Sequence, residues 1–318
     1  MSLIRRSRAP RSRRVITLAA ATILLASSAC SPPGTGVGEQ VEVFVVGDSW
    51  AALAGNPFSE PERELPYGLG YAPPAFGKLK GELGELRDPA LPDRGRFNVV
   101  AYHPWGIPAS TTAGWASGNP CSTPGTADPC AEIVPGLRSQ ITARLMDEIS
   151  SVAAPGIPLV YLSLGGNDVI NAGATPANGG VSLDLNNTSA RNTVLAGITN
   201  NLNQLIGMMV AANPRVRIII PGYVSLPVTG PICDTVWPAR FPAMTGGVSQ
   251  AALDLGIVTG LTSVYQGAAT QRPTEVWFEG SWFFRTGSRV SASELDTLCL
   301  HLTEYEDFIE SVLTKYVN

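Results

Sequence analysis

Apolar residues along this chain fall into short, nearly unbroken runs separated by segments in which they return every three or four positions. The runs predict β-strands at residues 41–46, 98–102, 158–164, 215–223 and 275–279. Strands without polar alternation are typical of a parallel sheet that is covered on both faces. The three-to-four periodicity predicts helices, most clearly at 137–149 and 194–210. This alternation predicts a doubly wound α/β three-layer sandwich: a mostly parallel five-stranded sheet with helices on both faces.

The end of the chain has the clearest helical pattern. Thr303 and Glu306 form a capping box, and apolar residues between Leu302 and Tyr316 line one face. Two segments rich in Pro and Gly, 51–97 and 104–132, are longer than ordinary connections. We predict that they form loops over the substrate face of the sheet.

The N-terminal segment resembles an export signal. Six arginines precede the first acidic residue, an apolar run follows at 15–26, and small residues occupy 27–29. The run is shorter than the ~20 residues that a transmembrane helix needs. We therefore predict a signal peptide at 1–29, a flexible tether at 30–40, and a single domain at 41–318.

The chain has five cysteines, an odd number for an exported protein. Cys30 follows the small residues and precedes a Pro- and Gly-rich tether, a pattern similar to the lipobox of bacterial lipoproteins. Two interpretations stay open: lipidation of Cys30, giving a cell-surface lipoprotein, or ordinary cleavage to a secreted protein. Cys121 and Cys130 bracket a turn-rich loop, so we predict that they pair and that Cys233 pairs with Cys299.

The charge distribution bears on the partners. Without the six N-terminal arginines, the 22 basic residues of the full chain fall to 16, against 26 acidic ones. An acidic body does not attract nucleic-acid phosphates or anionic lipid head groups. We expect no nucleic-acid partner, and contact with a membrane only through an N-terminal lipid anchor.

Polar and reactive residues follow three of the predicted strands. Residues 47–50 read Gly-Asp-Ser-Trp, residues 106–112 read Gly-Ile-Pro-Ala-Ser-Thr-Thr, and residues 165–168 read Gly-Gly-Asn-Asp. In open α/β sheets, ligands bind beyond the carboxyl ends of the strands. We therefore expect these three segments to meet at one edge of the sheet.

These blocks resemble those of the SGNH (GDSL) hydrolase family, whose fold is flavodoxin-like. The resemblance implies that Ser49 is the nucleophile, with Trp50 in place of the Leu of the family motif, and that Asn167 donates to the oxyanion. Ala109 falls where the family has its oxyanion glycine. Its backbone N–H can still donate, and Gly106 is the alternative donor.

The last block departs from the family. His301 matches the catalytic base, but Leu298 occupies the position of the acid, and the nearest acidic residue is Asp296. On a helix, a spacing of five would turn these side chains apart, so Asp296 can orient His301 only from a loop. The chain has only two histidines, and His103 is the alternative base.

The predicted function is that of a serine esterase or lipase that cleaves carboxylic esters through an acyl-enzyme. The substrate would be an ester of a small molecule, a lipid or an acylated glycan, with no cofactor and no metal. Asp48 is expected to brace its loop by hydrogen bonds. The alternative is a cell-surface lipoprotein that binds a glycan or lipid without turnover, using the rings of Trp50, Trp105 and Trp115.

Overall fold

A computed structural model describes residues 39–54, 97–107, 109–121, 138–173, 186–228, 233 and 249–280. The predicted signal peptide, the tether up to residue 38 and the C-terminal helix lie outside these residues. The tether prediction is wrong at its end, because Glu39 and Gln40 already belong to the first strand.

Five parallel strands form the sheet. Their bounds are β1 Glu39–Gly47, β2 Phe97–Gly106, β3 Ile157–Ser163, β4 Arg217–Pro221 and β5 Val276–Glu279. The order across the sheet is β2-β1-β3-β4-β5, and each neighbouring pair is parallel. This confirms the predicted flavodoxin-like α/β sheet.

All five strands differ by one or more residues from their predicted bounds, and β2 and β4 differ most. Strand β2 continues to Gly106, where it pairs with Gly47, although His103 and Pro104 interrupt the apolar run. A proline is tolerated there because β2 is an edge strand. Strand β4 starts two residues later than predicted, since the backbone N–H groups of Arg215 and Val216 donate to Asn213 oxygens at 3.0 and 2.9 Å instead of to a neighbouring strand.

The helices are α1 Ser49–Ala54, α2 Thr112–Ala116, α3 Ile141–Ser151, α4 Gly166–Gly173, α5 Thr188–Ala212, α6 Gln250–Leu253 and α7 Leu261–Gln271. A π-helical segment, Asp254–Gly260, joins α6 to α7. Helix α5 starts six residues before its predicted bound, because the Asn187 side chain accepts from the backbone N–H groups of Ser189 and Ala190.

The sheet is the middle layer of the fold. Every residue of β3 is buried, although successive side chains point to opposite faces. Both faces of the sheet are therefore covered, as the sequence predicted. The prediction of two long loops is wrong in part, because residues 51–54 belong to α1, 104–106 to β2 and 112–116 to α2.

Within the described helices, none combines the length and apolar character that crossing a membrane requires.

Candidate active site

The direction of the chain through the sheet reverses beside β1. From β1 the chain moves outward to β2, and it then returns to β3 on the other side of β1. Such a switch point opens a crevice at the carboxyl ends of the central strands. The three predicted motif segments follow β1, β2 and β3, so the fold brings all three to this crevice.

The first segment turns sharply from β1 into α1. Gly47 has φ 142°, and a Cβ atom there would lie 1.8 Å from the Ser163 carbonyl oxygen of β3. Only glycine fits this close approach. The next backbone N–H, of Asp48, donates to the same Ser163 oxygen at 2.9 Å. The turn presents Ser49 as the first residue of α1.

Asp48 braces this turn, as predicted. It is buried, and its carboxylate accepts from the Trp50 backbone N–H at 3.0 Å and from the Tyr223 hydroxyl at 2.6 Å. Burial, followed by the negative charge of Asp48, raises the pKa of Tyr223 well above its ordinary value. Tyr223 therefore stays a neutral donor that ties the end of β4 to the turn.

The second segment forms a tight turn beyond β2. Ala109 has φ 61°, the left-handed conformation that glycine favours. Ser110 donates its backbone N–H to the Ile107 carbonyl and its hydroxyl to the Gly47 carbonyl, both at 3.1 Å. The turn is thus bonded to the segment that carries Ser49.

The third segment begins α4. The Asn167 side-chain amide donates to the Ser110 carbonyl at 3.2 Å. Asp168 accepts from the backbone N–H of Thr112 at 2.9 Å and from its hydroxyl at 2.5 Å. Two adjacent side chains of α4 therefore hold the turn after β2, and all three motif segments form one hydrogen-bonded unit.

Asp168 has a perturbed acidity. Burial raises the pKa of its carboxyl from 3.8 to about 6, while the hydrogen bonds from Thr112 act in the opposite direction. Removal from water is therefore the larger of these effects.

A pocket opens at the crevice, with a volume of about 270 Å³ that includes solvent at its mouth. Asp48, Ser49, Gly166 and Asn167 line its polar side. Its apolar side consists of Trp50, Ile170, Tyr223, Leu226 and Ile257. The structure thus brings Ser49 and Asn167, predicted from separate motifs, to one cavity.

The sequence left two alternatives for one backbone donor to the oxyanion, and the structure places them differently. Gly106 is the last residue of β2 and pairs with Gly47 inside the sheet. Ala109 lies in the turn beyond the strand.

His103 lies within strand β2 rather than beyond its carboxyl end. It pairs with Phe44 in the register of β1 and β2, three residues before the end of β2, or roughly 10 Å at the usual rise per residue. Its Nε2 lies 2.8 Å from Glu42 Oε2, and its Nδ1 lies 3.1 Å from Glu148 Oε2. The ring also stacks on that of Phe44. These contacts hold His103 away from Ser49, so its alternative assignment as the base is wrong.

Several predicted residues lie outside the described part of the chain. His301, Asp296, Cys30, Cys130 and Cys299 are among them. The described cysteines, Cys121 and Cys233, are both buried. The base, the acid, the lipidation site and both disulfide pairings therefore stay predictions.

The three tryptophans expected to line a binding surface are separated. Trp50 lines the pocket and meets the Tyr223 ring edge-on, with centroids 5.3 Å apart. Trp115 is fully buried and donates to the Ser110 hydroxyl at 2.9 Å. Trp105 donates to Glu148 at 3.1 Å, on the side of His103. The predicted stacking surface is wrong for Trp105 and Trp115.

The sequence interpretation missed the supporting residues Thr112 and Tyr223. Tyr223 follows β4 and so reaches the same edge of the sheet as the motifs, which is a signal that could have identified it. Thr112 belongs to the second motif segment, but its bond to Asp168, 56 residues away, had no signal in the sequence.

Across the described ranges, no three His, Cys, Asp or Glu side chains come together in a cluster that could bind a metal ion.

Comparisons with known proteins returned solved structures only. No protein-family model and no curated protein matches the chain. A carbohydrate acetylesterase from Sinorhizobium meliloti matches with 15% identity and a TM-score of 0.39, covering 87% of this chain and 99% of its own. An extracellular lipase from Streptomyces rimosus matches with 12% identity and a TM-score of 0.42, covering 86% and 99%.

A phospholipase A1 from Streptomyces albidoflavus matches with 13% identity and a TM-score of 0.39, covering 76% of this chain and 78% of its own. Identities and TM-scores this low do not transfer an activity. The strand order is nevertheless the flavodoxin-like one that the resemblance in the sequence implied.

Proposed function

We propose that this protein is a serine ester hydrolase of the SGNH type. The observation that carries the proposal is the shared pocket of Ser49, which follows β1, and Asn167, which follows β3. Ester cleavage needs a nucleophile and a donor for the developing oxyanion within reach of one carbonyl group. The switch point of the sheet supports such a pairing.

The proposed reaction proceeds through an acyl-enzyme. His301, oriented by Asp296, takes the proton of Ser49 as its hydroxyl oxygen attacks the ester carbonyl carbon. The tetrahedral intermediate collapses, and the alcohol leaves with the proton from His301. Water then attacks the acyl-enzyme with His301 again as base, releasing the acid and restoring Ser49.

The oxyanion donors are the backbone N–H groups of Ser49 and Ala109 and the side chain of Asn167. We assign Ala109 rather than Gly106, because it lies in the turn beyond the strand and has the left-handed conformation that suits glycine. The Asn167 amide has two N–H donors, and its bond to Ser110 uses one of them. Each oxyanion donor contributes about 3 kcal/mol to transition-state stabilisation.

The substrate of the proposed enzyme is an ester of a small molecule, a lipid or an acylated glycan. We further propose that the protein is exported, either anchored through a lipid on Cys30 or released after cleavage of the signal peptide. No cofactor takes part in this mechanism.

The experiment is the replacement of Ser49 by Ala. Ser49→Ala should lower kcat/KM for p-nitrophenyl acetate by at least about 1,000-fold, since the nucleophile is lost. Labelling by a fluorophosphonate should disappear with it. Ser150→Ala is the matched control, because Ser150 is an exposed serine that donates to its own helix.

Retained hydrolysis by Ser49→Ala would remove Ser49 from the mechanism. Absence of both hydrolysis and labelling in the unaltered protein would favour a lipoprotein that binds a glycan or lipid, in which Trp50 still lines the pocket.

A further inference from the structure

The pocket beside Ser49 has Ser49 and Asn167 toward solvent and mostly apolar groups inside. Asp48 is the buried polar group among the described lining residues, and its carboxylate already accepts from the Trp50 N–H and the Tyr223 hydroxyl. Ser49 and Asn167 are partly exposed, whereas Leu226 and Ile257 are each 2% exposed. The apolar side chains therefore form the inner wall. We infer that this wall binds the acyl group of the ester and that Leu226 and Ile257 restrict it to short chains, acetyl to butyryl. This inference rests on the proposed ester hydrolysis.

Leu226 belongs to a segment without helix or strand, residues 222–228, that follows β4 and that we call the β4 strap. The Gln250 side chain bonds to the strap at Leu226 and at Val228. Its Nε2 donates to the Leu226 carbonyl at 2.8 Å, and its Oε1 accepts from the Val228 backbone N–H at 3.0 Å. One side chain thus replaces the hydrogen bonds that a neighbouring strand would supply.

A second contact reinforces the strap. Asp254, one helical turn after Gln250, accepts from the Ser225 hydroxyl at 2.6 Å and from Gln250 Nε2 at 2.9 Å. With the bonds of Gln250, these contacts hold the Ser225 side chain and the backbone at 226 and 228. Movement of Leu226 out of the pocket would break several of these bonds, so we expect its position to be fixed.

Ile257 belongs to the π-helical segment, whose wider turn has an extra residue compared with an α-helix. The neighbouring glycines lie very close to other helices. A Cβ atom on Gly256 would lie 2.9 Å from Val169 of α4, and one on Gly260 would lie 2.7 Å from Leu195 of α5. This close packing fixes the backbone of the segment, so we expect the buried Ile257 side chain to keep its place in the wall.

A rigid apolar wall discriminates between esters by the length of their acyl chains. The acyl carbons of an acetyl or butyryl ester gain burial against the wall, whereas a longer chain has to displace Leu226 or Ile257. Truncating either side chain removes that obstacle. The wall therefore determines specificity and takes no part in bond cleavage.

The test compares p-nitrophenyl acetate, butyrate and octanoate as substrates. For the unaltered enzyme we expect kcat/KM for octanoate to be the lowest of the three. Leu226→Ala and Ile257→Ala should each raise the octanoate-to-acetate ratio of kcat/KM by at least about tenfold. The ratio does not depend on the fraction of active enzyme, so partial loss of folded protein leaves the test valid.

Val258→Ala is the matched control. Val258 is buried beside Ile257 in the π-helical segment but is not among the described residues that line the pocket. It should lower stability and leave the ratio unchanged. If Leu226→Ala or Ile257→Ala fails to fold, Leu226→Val or Ile257→Val replaces it. These milder variants should raise the octanoate-to-acetate ratio by a smaller factor.

Two results would overturn the inference. One is a preference of the unaltered enzyme for octanoate, and the other is a ratio in the Leu226 and Ile257 variants equal to that of Val258→Ala. Fluorophosphonate labelling of Ser49 separates these results from failure of the proposed function. Labelling with an unchanged ratio rejects only the acyl wall, whereas absence of both labelling and hydrolysis rejects the ester hydrolase and the wall together.

Discussion

Asp168 is an acid whose partly buried position favours its neutral form. The native state holds its proton more tightly than the unfolded chain, because the pKa rises from 3.8 to about 6 on folding. Stability should therefore fall as the pH rises from about 4 to about 6, and stay lower above that range. The full shift corresponds to about 3 kcal/mol. We expect the free energy of unfolding to fall by about 2 kcal/mol over this range, because the side chain is partly exposed to solvent.

Asp168→Asn should abolish this pH dependence, since an amide does not titrate but can still accept from the Thr112 N–H and donate to its hydroxyl. Urea unfolding at intervals from pH 4 to 7 measures the effect. Asp147→Asn, a change at an exposed carboxylate on α3, is the control and should keep the slope. Parallel pH profiles of the unaltered protein and Asp168→Asn would contradict this prediction.

The turn between β1 and α1 depends on one glycine. Gly47→Ala would drive a Cβ atom into the Ser163 carbonyl at a backbone conformation that alanine rarely adopts. We expect the free energy of unfolding to fall by about 3 kcal/mol, because β1 and β3 would have to separate. Esterase activity should fall as well, since the same turn positions Ser49.

Gly197 in α5 provides the opposite case. It is exposed, and a Cβ atom there would meet no atom within 4 Å. Gly197→Ala should raise the free energy of unfolding by about 0.5–1 kcal/mol, because alanine favours the helix. Chemical denaturation of both variants measures the contrast. Equal effects of the two substitutions would show that the turn tolerates a side chain.

For the molecule as a whole, the proposed mechanism needs His301, near the end of the chain, to reach Ser49, near its start. The predicted Cys233–Cys299 disulfide would anchor the segment two residues before His301. On the chain-entropy model such a bridge stabilises the fold by about 4 kcal/mol. Cys233→Ala should therefore lower both stability and esterase activity.

Peptide mapping without reduction checks the pairing directly. If the two cysteines are bonded, Cys233→Ala, Cys299→Ala and the double variant should lose similar amounts of stability, since each removes the same bond. Cys121→Ala is the control, and it should affect the predicted bridge to Cys130 alone. Recovery of a peptide that joins Cys233 to any other cysteine would reject the proposed anchor.

Some parts of this protein follow from local sequence alone. Nearly unbroken apolar runs identified all five strands, because a strand buried on both faces needs apolar side chains at every position. The position of Ser49 and Asn167 followed from strand ends and short motifs. His103 was harder to interpret, since its pairing with Glu42 and Glu148 joins residues 61 and 45 positions away.

The sequence by itself therefore determined the fold class, the nucleophile candidate and the edge of the sheet where the chemistry would lie. Only the tertiary structure decided which side chains support that edge: Tyr223 on Asp48, Thr112 on Asp168, and Leu226 with Ile257 in the wall of the pocket. The physical reason is the separation along the chain between the residues that make contact. Strand and helix patterns repeat within a few residues, whereas these contacts form between segments that approach each other only when the sheet assembles.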